Sequence, residues 1–151
     1  MKIGIVSDHR GYTLKKVLLN YLHKKKFEVV DYGTDSTESV DYPDFGFLIG
    51  DKVSNKEVDF GIAICGSGIG ISIACNKVKG IRCAKVDTVK QAYLTRIDND
   101  ANILALSADI PKYKAKDIVD KFFSTDFSNI DRHITRIKKI EKYEKEHNNE
   151  C

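Results

Sequence analysis

The sequence predicts an α/β domain whose five-stranded parallel sheet is covered by helices on both faces. Three observations predict it. Short apolar runs rich in Ile and Val alternate five times with longer segments whose apolar residues recur at helical spacing. Glycine, proline and short polar turns punctuate the runs, and no linker, repeat or low-complexity tract interrupts them. Positions 1–151 form one unit of a size that buries a core, with 42% hydrophobic and 31% charged residues, the balance of a globular chain.

The elements follow in order. Lys2–Ser7 reads as the first strand. Leu14, Val17, Leu18, Tyr21 and Leu22 then mark one face of a helix, with Lys15, Lys16 and Lys24–Lys26 on the other side. Phe27–Tyr32 is the second strand. A polar loop from Gly33 to Asp41 leads to a helix that Pro43 opens and that runs to about Ser54. Asp59–Ile64 is the third strand, followed by a glycine loop and a helix from about Ile71 through about Lys77. Ile81–Val86 is the fourth strand, and Thr88 is placed to cap a helix containing Val89, Ala92, Tyr93 and Arg96. Asn102–Leu106 is the fifth strand. Pro111 opens a helix with Ala115, Ile118, Val119, Phe122 and Phe123 on its apolar face. The last helix, about 128–147, carries Ile130, Ile134, Ile137, Ile140 and Tyr143.

Composition narrows the function classes. A net charge of +3, with Lys and Glu interleaved, does not call for nucleic acid. No run is long enough to span a membrane, and the N-terminus enters a strand with no secretory leader, so a cytoplasmic protein with no membrane partner is expected. Cys65, Cys75, Cys83 and Cys151 form no CxxC pair and stand at no zinc spacing to His9, His23, His133 or His147. From spacing alone no zinc site is expected. Cys75 and Cys83 read as small buried hydrophobes, and Cys151 as an exposed terminal thiol open to adventitious oxidation.

The stretch Gly61–Ser72 carries the chemistry. A strand ends in Cys65, the loop Gly66-Ser67-Gly68-Ile69-Gly70 follows, and a helix begins. Such glycines let backbone N–H groups converge on an anion, and a helix start favours thiolate over thiol. In open parallel sheets ligands bind beyond the carboxyl ends of the strands. The residues expected there are Asp8-His9, Cys65–Gly70, Asp87 and Ser107–Asp109. Rival readings of the loop fail: the third glycine of a dinucleotide fingerprint is Ile71, the Gly-Lys-Ser/Thr of a P-loop is absent, and no arginine follows the cysteine as in a thiol phosphatase.

Asp8-His9, Asp41-Tyr42-Pro43, Cys65–Gly70, Asn76-Lys77, Asn99 with Asn102, and Arg132-His133 with Arg136 together resemble the ribose-5-phosphate isomerase B family, in order and over nearly the whole chain. That family also contains allose-6-phosphate isomerases and galactose-6-phosphate isomerase subunits. The resemblance implies a Rossmann-like three-layer α/β/α sandwich with a C-terminal helix. It implies a homodimer or tetramer with interface active sites, and a phosphorylated sugar substrate whose aldose and ketose forms interconvert without a cofactor.

On the same resemblance Cys65 is the base that takes the C2 proton, and the amides of Gly66, Ser67, Gly68, Ile69 and Gly70 meet the enediolate. Ser67 adds a hydrogen bond. Asp8, His9, Tyr42 and Asn99 contact the sugar, and Arg132 and Arg136, four apart on a helix, fork onto the phosphate. Read alone, Cys65 is equally a buried strand-end residue, Asp8-His9 a turn, and the two arginines a solvated face.

Two positions depart from the family. Asp98 stands where the ring-opening histidine is usual, and Asp109 where an arginine reaches the phosphate across the interface. An ionised carboxylate cannot donate the ring-opening proton, and Asp109 repels a dianion. The expected order is therefore His9 taking over ring opening in a ribose-5-phosphate isomerase, then a pocket for another sugar phosphate such as allose 6-phosphate or galactose 6-phosphate, then a binding paralogue without turnover. Lys112 or Lys114 is a candidate replacement cation.

Overall fold

The computed structural model describes residues 1–147; the reading of Cys151 falls outside them. Five strands, β1 (Lys2–Ser7), β2 (Glu28–Asp31), β3 (Phe60–Cys65), β4 (Cys83–Lys85) and β5 (Ile103–Ser107), form one parallel sheet in the order β2-β1-β3-β5-β4. The helices are α1 (Tyr12–Lys24), α2 (Tyr42–Ser54), α3 (Ile69–Cys75), α4 (Val89–Ile97), α5 (Lys112–Phe123) and α6 (Asp131–His147).

Alternation of side chains along the strands divides the core in two. Ile3, Ile5, Ile62, Ile64, Leu104 and Leu106 face α1, α4 and α5. Val6, Ala63, Cys65, Ile103 and Ala105 face α2 and α3. Period-2 alternation on strands buried on both sides produces this split without further instruction. The neighbours β1 and β3 send their outgoing helices α1 and α3 to opposite faces, so the chain parts at their carboxyl ends. That parting is the crevice where open α/β sheets take ligands.

Several boundaries move from their sequence positions for local reasons. Strand β4 begins at Cys83 because side-chain amides occupy the backbone groups before it. Asn102 accepts from Arg82 N at 2.8 Å, and Asn76 accepts from Cys83 N at 2.8 Å while donating to its carbonyl at 2.9 Å. Helix α3 starts at Ile69, two residues early, straight after Gly68, and it stops at Cys75. Helix α6 starts at Asp131 because Asn129 has φ +56, outside helical geometry. Thr88 caps α4 by accepting from Gln91 N at 3.1 Å, as its position predicts. Pro43 lies in the first turn of α2, and Pro111 caps α5 rather than standing inside it. No helix among the described residues is long and apolar enough to cross a membrane.

Among the described residues the most deeply buried ion pair is made by a lysine. Lys15 is wholly buried, and its ammonium donates to Asp31 Oδ1 at 2.6 Å and to the Thr34 carbonyl at 2.6 Å. The same Asp31 oxygen accepts from Gly33 N at 2.9 Å, and Ser7 exchanges backbone bonds with Gly33 and Thr34 at 2.8 and 2.9 Å. The end of β2, the loop after it and the end of β1 are thereby tied to α1. Removing either partner has unequal consequences. Asp31→Ala strands a buried ammonium on one carbonyl and is expected to cost about 3 kcal/mol. Lys15→Met leaves Asp31 free to hydrate at the surface and costs less. Urea denaturation of both variants checks the order, and equal losses refute it.

Candidate active site

The site is built at the carboxyl ends of β1, β3 and β5. Asp8 follows β1 and is buried; its Oδ1 accepts from Arg10 N at 2.9 Å and Gly11 N at 3.0 Å, which folds the chain into α1. His9, half-buried, accepts at Nδ1 from Val40 N at 3.2 Å. With Nδ1 an acceptor, Nε2 carries the ring proton and is the donor His9 offers.

Beside them Cys65 ends β3, 4% exposed, its carbonyl accepting from Ala108 N at 2.9 Å. Ser107, paired in register with Cys65, donates through Oγ to the Gly66 carbonyl at 2.7 Å and accepts from Asp109 N at 3.2 Å. In a trans peptide the N–H points opposite to the C=O, so this clamp turns the Ser67 N–H away from Ser107. The N–H groups of Gly66, Ser67 and Gly68 have no protein acceptor among the described residues. The exposed Ser67 accepts from Ile69 N at 3.1 Å through Oγ, which leaves its hydroxyl proton free to be donated.

Glycine is required here by what lies against it. Gly68 has φ +75, and a Cβ on it would stand 2.8 Å from the Leu106 carbonyl carbon. A Cβ on Gly70 would meet the Tyr42 ring at 2.6 Å, so the half-exposed Tyr42 covers the first turn of α3. A Cβ on Gly66 would stand 2.5 Å from Arg10 Nη1. Sequence reasoning passed over Arg10; its place directly after His9 was the only signal.

Asp109, exposed, lines a cavity of about 420 Å³ with Ser67, Ile69, Lys85, Asp87 and Lys114. Lys114, not Lys112, is thus the lysine that shares Asp109's surroundings, while Lys85 is paired to Asp87 at 2.5 Å.

The other predicted residues lie elsewhere. Helix α4 runs antiparallel to the strands, so Asp98 and Asn99 arrive at the amino end of β5, the opposite edge of the sheet from Cys65. Asp98 is 3.6 Å from His133 Nε2, whose Nδ1 shares a 2.7 Å bond with Ser128 Oγ. Arg132 and Arg136 are exposed on α6 and make no ion pair among the described residues. Arg136 and Asn99 line a second cavity of about 400 Å³ with Asn76, Arg82, Ile137 and Glu144. Asn76 and Asn102 are spent on backbone bonds around β4, and Asn102 also donates to the Gly80 carbonyl at 2.8 Å. The predicted residues therefore fall into two groups, one at each edge of the sheet. No group of three or more His, Cys, Asp or Glu side chains that could hold a metal occurs among the described residues.

The remaining described thiols are structural. Cys75 is buried, and a hydrogen bond from Cys75 together with burial pushes the half-buried Cys83 thiol well above the ordinary cysteine range.

Comparison with known proteins yields one consistent relationship. The sequence model described as Ribose/Galactose Isomerase matches residues 3–140. Ribose-5-phosphate isomerase B of Escherichia coli is 38% identical over 148 residues, covering 97% of this chain and 99% of the relative. Among solved structures, Clostridium thermocellum ribose-5-phosphate isomerase B superposes with a TM-score of 0.95 at 49% identity, covering 97% of this chain and 99% of that one. Mycoplasma genitalium ribose-5-phosphate isomerase B, solved with bound ribulose-5-phosphate, has a TM-score of 0.91 at 46% identity and covers 96% of this chain and 97% of its own.

The raised Cys83 thiol makes a pH prediction. The fold keeps it neutral where an unfolded chain ionises, so its contribution to stability is full below the ordinary thiol range and is lost as pH rises through it. Iodoacetamide labelling of the native protein should spare Cys83 at pH 8 and reach it only in more alkaline solution. Rapid labelling at pH 8, read by peptide mass spectrometry, contradicts this.

Proposed function

The chain belongs to the Ribose/Galactose Isomerase family, and we propose that within it this protein interconverts ribose 5-phosphate and ribulose 5-phosphate. The observation that carries the reading is the Cys65 thiol followed directly by three N–H groups without acceptors among the described residues and by the Ser67 hydroxyl proton. Full-length similarity to ribose-5-phosphate isomerases B, one of them holding ribulose-5-phosphate, supports the choice of pentose.

The chemistry follows from those groups. His9 gives its Nε2 proton to the ring oxygen as the bond from that oxygen to C1 breaks, and the proton of the C1 hydroxyl returns to the same nitrogen, so the furanose opens to the aldehyde with His9 unchanged. The Cys65 thiolate removes the proton from C2 of the open aldose, and the electron pair moves onto the C1 carbonyl oxygen. The amides of Gly66–Gly68 stabilise that oxyanion, a contribution of about 3–4 kcal/mol for a well-placed donor. The proton on the C2 hydroxyl passes to the C1 oxygen, with Ser67 at hand to hold either one. Cys65 then returns its proton to C1, leaving the ketone at C2. No electrons leave the sugar, and each proton removed is replaced. Asp98, 3.6 Å from His133 Nε2 at the far edge of the sheet, takes no part in ring opening on this reading.

Two copies complete the site. Asn99, Arg132 and Arg136 lie across the sheet from Cys65, so a second protomer brings its amino-edge cluster to this crevice and its arginines to the phosphate. Ile69 and Ile73 on α3, more than half exposed, and Phe47 on the adjacent α2 form the apolar surface beside the Cys65 loop that such a partner would cover.

Coupled assays with ribose 5-phosphate, allose 6-phosphate and galactose 6-phosphate test the substrate: the pentose should be turned over fastest, and exclusive hexose turnover overturns the assignment. Cys65→Ala should abolish turnover with the melting temperature retained; wild-type kcat in that variant removes the cysteine base. Mixing and refolding inactive Cys65→Ala with inactive Arg132→Ala/Arg136→Ala should restore roughly a quarter of the wild-type rate, through mixed dimers with one intact site. No recovery places all of these residues in one protomer's site.

A further inference from the structure

We propose that Arg10 binds the phosphoryl group of the substrate from the crevice side, supplying the guanidinium that the β5 end lacks where Asp109 stands. This assignment rests on the sugar-phosphate reading above.

Arg10 follows His9 on the loop after β1, at the point where β1 and β3 send their helices to opposite faces. Its guanidinium crosses that crevice to the loop after β3. A Cβ built on Gly66 would lie 2.5 Å from Nη1, 2.6 Å from Cζ and 2.9 Å from Nε. No point in the guanidinium plane has these three distances at once, so the point lies over the face, not at the edge. The guanidinium therefore rests flat on Gly66, and its N–H groups radiate sideways over the crevice. Absence of a side chain at Gly66 is what admits it.

Nothing among the described residues neutralises this group. Asp8 spends Oδ1 on the Arg10 and Gly11 backbone N–H groups, and the Arg10 side chain makes no hydrogen bond or ion pair among the described residues. Of the neighbouring cations, Lys85 is paired to Asp87, and Lys114 shares its cavity with Asp109. A flat, unpaired guanidinium with its N–H fork presented over a ligand crevice has the geometry for bidentate contact with a phosphate dianion. The phosphate lies at C5, three carbons beyond the C2 that faces Cys65, so a guanidinium seated on Gly66 meets it with the N–H edge turned away from Cys65. Arg10 thus acts on affinity and on the preference for phosphorylated sugars, not on proton transfer.

The test uses the whole protein, inorganic phosphate as the first probe and ribose 5-phosphate as the second. Titration calorimetry with phosphate should show affinity falling roughly ten- to a hundredfold in Arg10→Gln, and by less in Arg10→Lys, which keeps the charge without the fork. The wild-type affinity should weaken with added chloride, and KM for ribose 5-phosphate should rise far more than kcat falls. Equal phosphate affinity in wild type and Arg10→Gln overturns the assignment. So does a kcat loss at unchanged phosphate affinity, which places Arg10 at the Cys65 chemistry instead. Arg10 is exposed, so both variants should fold, with melting temperatures as the check. A wild type that isomerises no sugar phosphate yet binds phosphate through Arg10 sinks the isomerase reading alone.

Discussion

The buried ammonium of Lys15 is the constraint on which the active edge depends. An ammonium without solvent is tolerated only when its donors are met by a charge and a carbonyl, and both acceptors here come from one stretch, Asp31 and Thr34. To satisfy Lys15, the chain after β2 must turn back across the end of β1, where Ser7 bonds to Gly33 and Thr34. The same turn carries Val40 to the ring of His9 and then starts α2, whose first residue, Tyr42, lies on Gly70. A lysine on the first helix thus sets the tautomer of a histidine on one loop and the cover over another. It touches neither.

Much of this was legible in the sequence, and the illegible parts share a cause. Strands and helices were readable because their apolar periods differ. The Cys65–Gly70 loop was readable because its parts are contiguous. The start of β4 was not, since Asn76 and Asn102 take its backbone groups from seven and twenty residues away, and propensity carries no record of such bonds. Lys15 counted as one of several lysines on a helical face, although the fold buries it completely. Arg10 was hidden for the same reason. Its importance comes from a glycine 56 positions on that offers it a flat seat.

Sheet direction explains why the predicted residues separate into two groups. All five strands point the same way, so every connection that follows a strand begins at one edge, and every connection that precedes a strand ends at the other. Asp8, His9, Arg10, Cys65, Ser67 and Asp109 follow strands. Asp98 and Asn99 precede one, and α6 is anchored at that same edge by the Asp98–His133 contact and by Ser128 N bonding to the Ile97 carbonyl. No loop rearrangement within one protomer merges the groups without reversing α4. A parallel sheet therefore converts a single list of polar residues into two faces, and a second copy is the economical way to join them.

The glycine loop then reads differently from an anion cradle alone. Its middle glycine serves backbone geometry, since φ is positive and Leu106 leaves no room. Its outer two serve visitors: Gly66 seats the Arg10 guanidinium, and Gly70 seats the Tyr42 ring. Spacing that looks like a phosphate-binding pattern is in this chain a record of three close approaches, one of which brings a cation. With Asp109 where a cation would otherwise stand, the positive charge facing the substrate comes from the β1 side of the crevice instead of the β5 side.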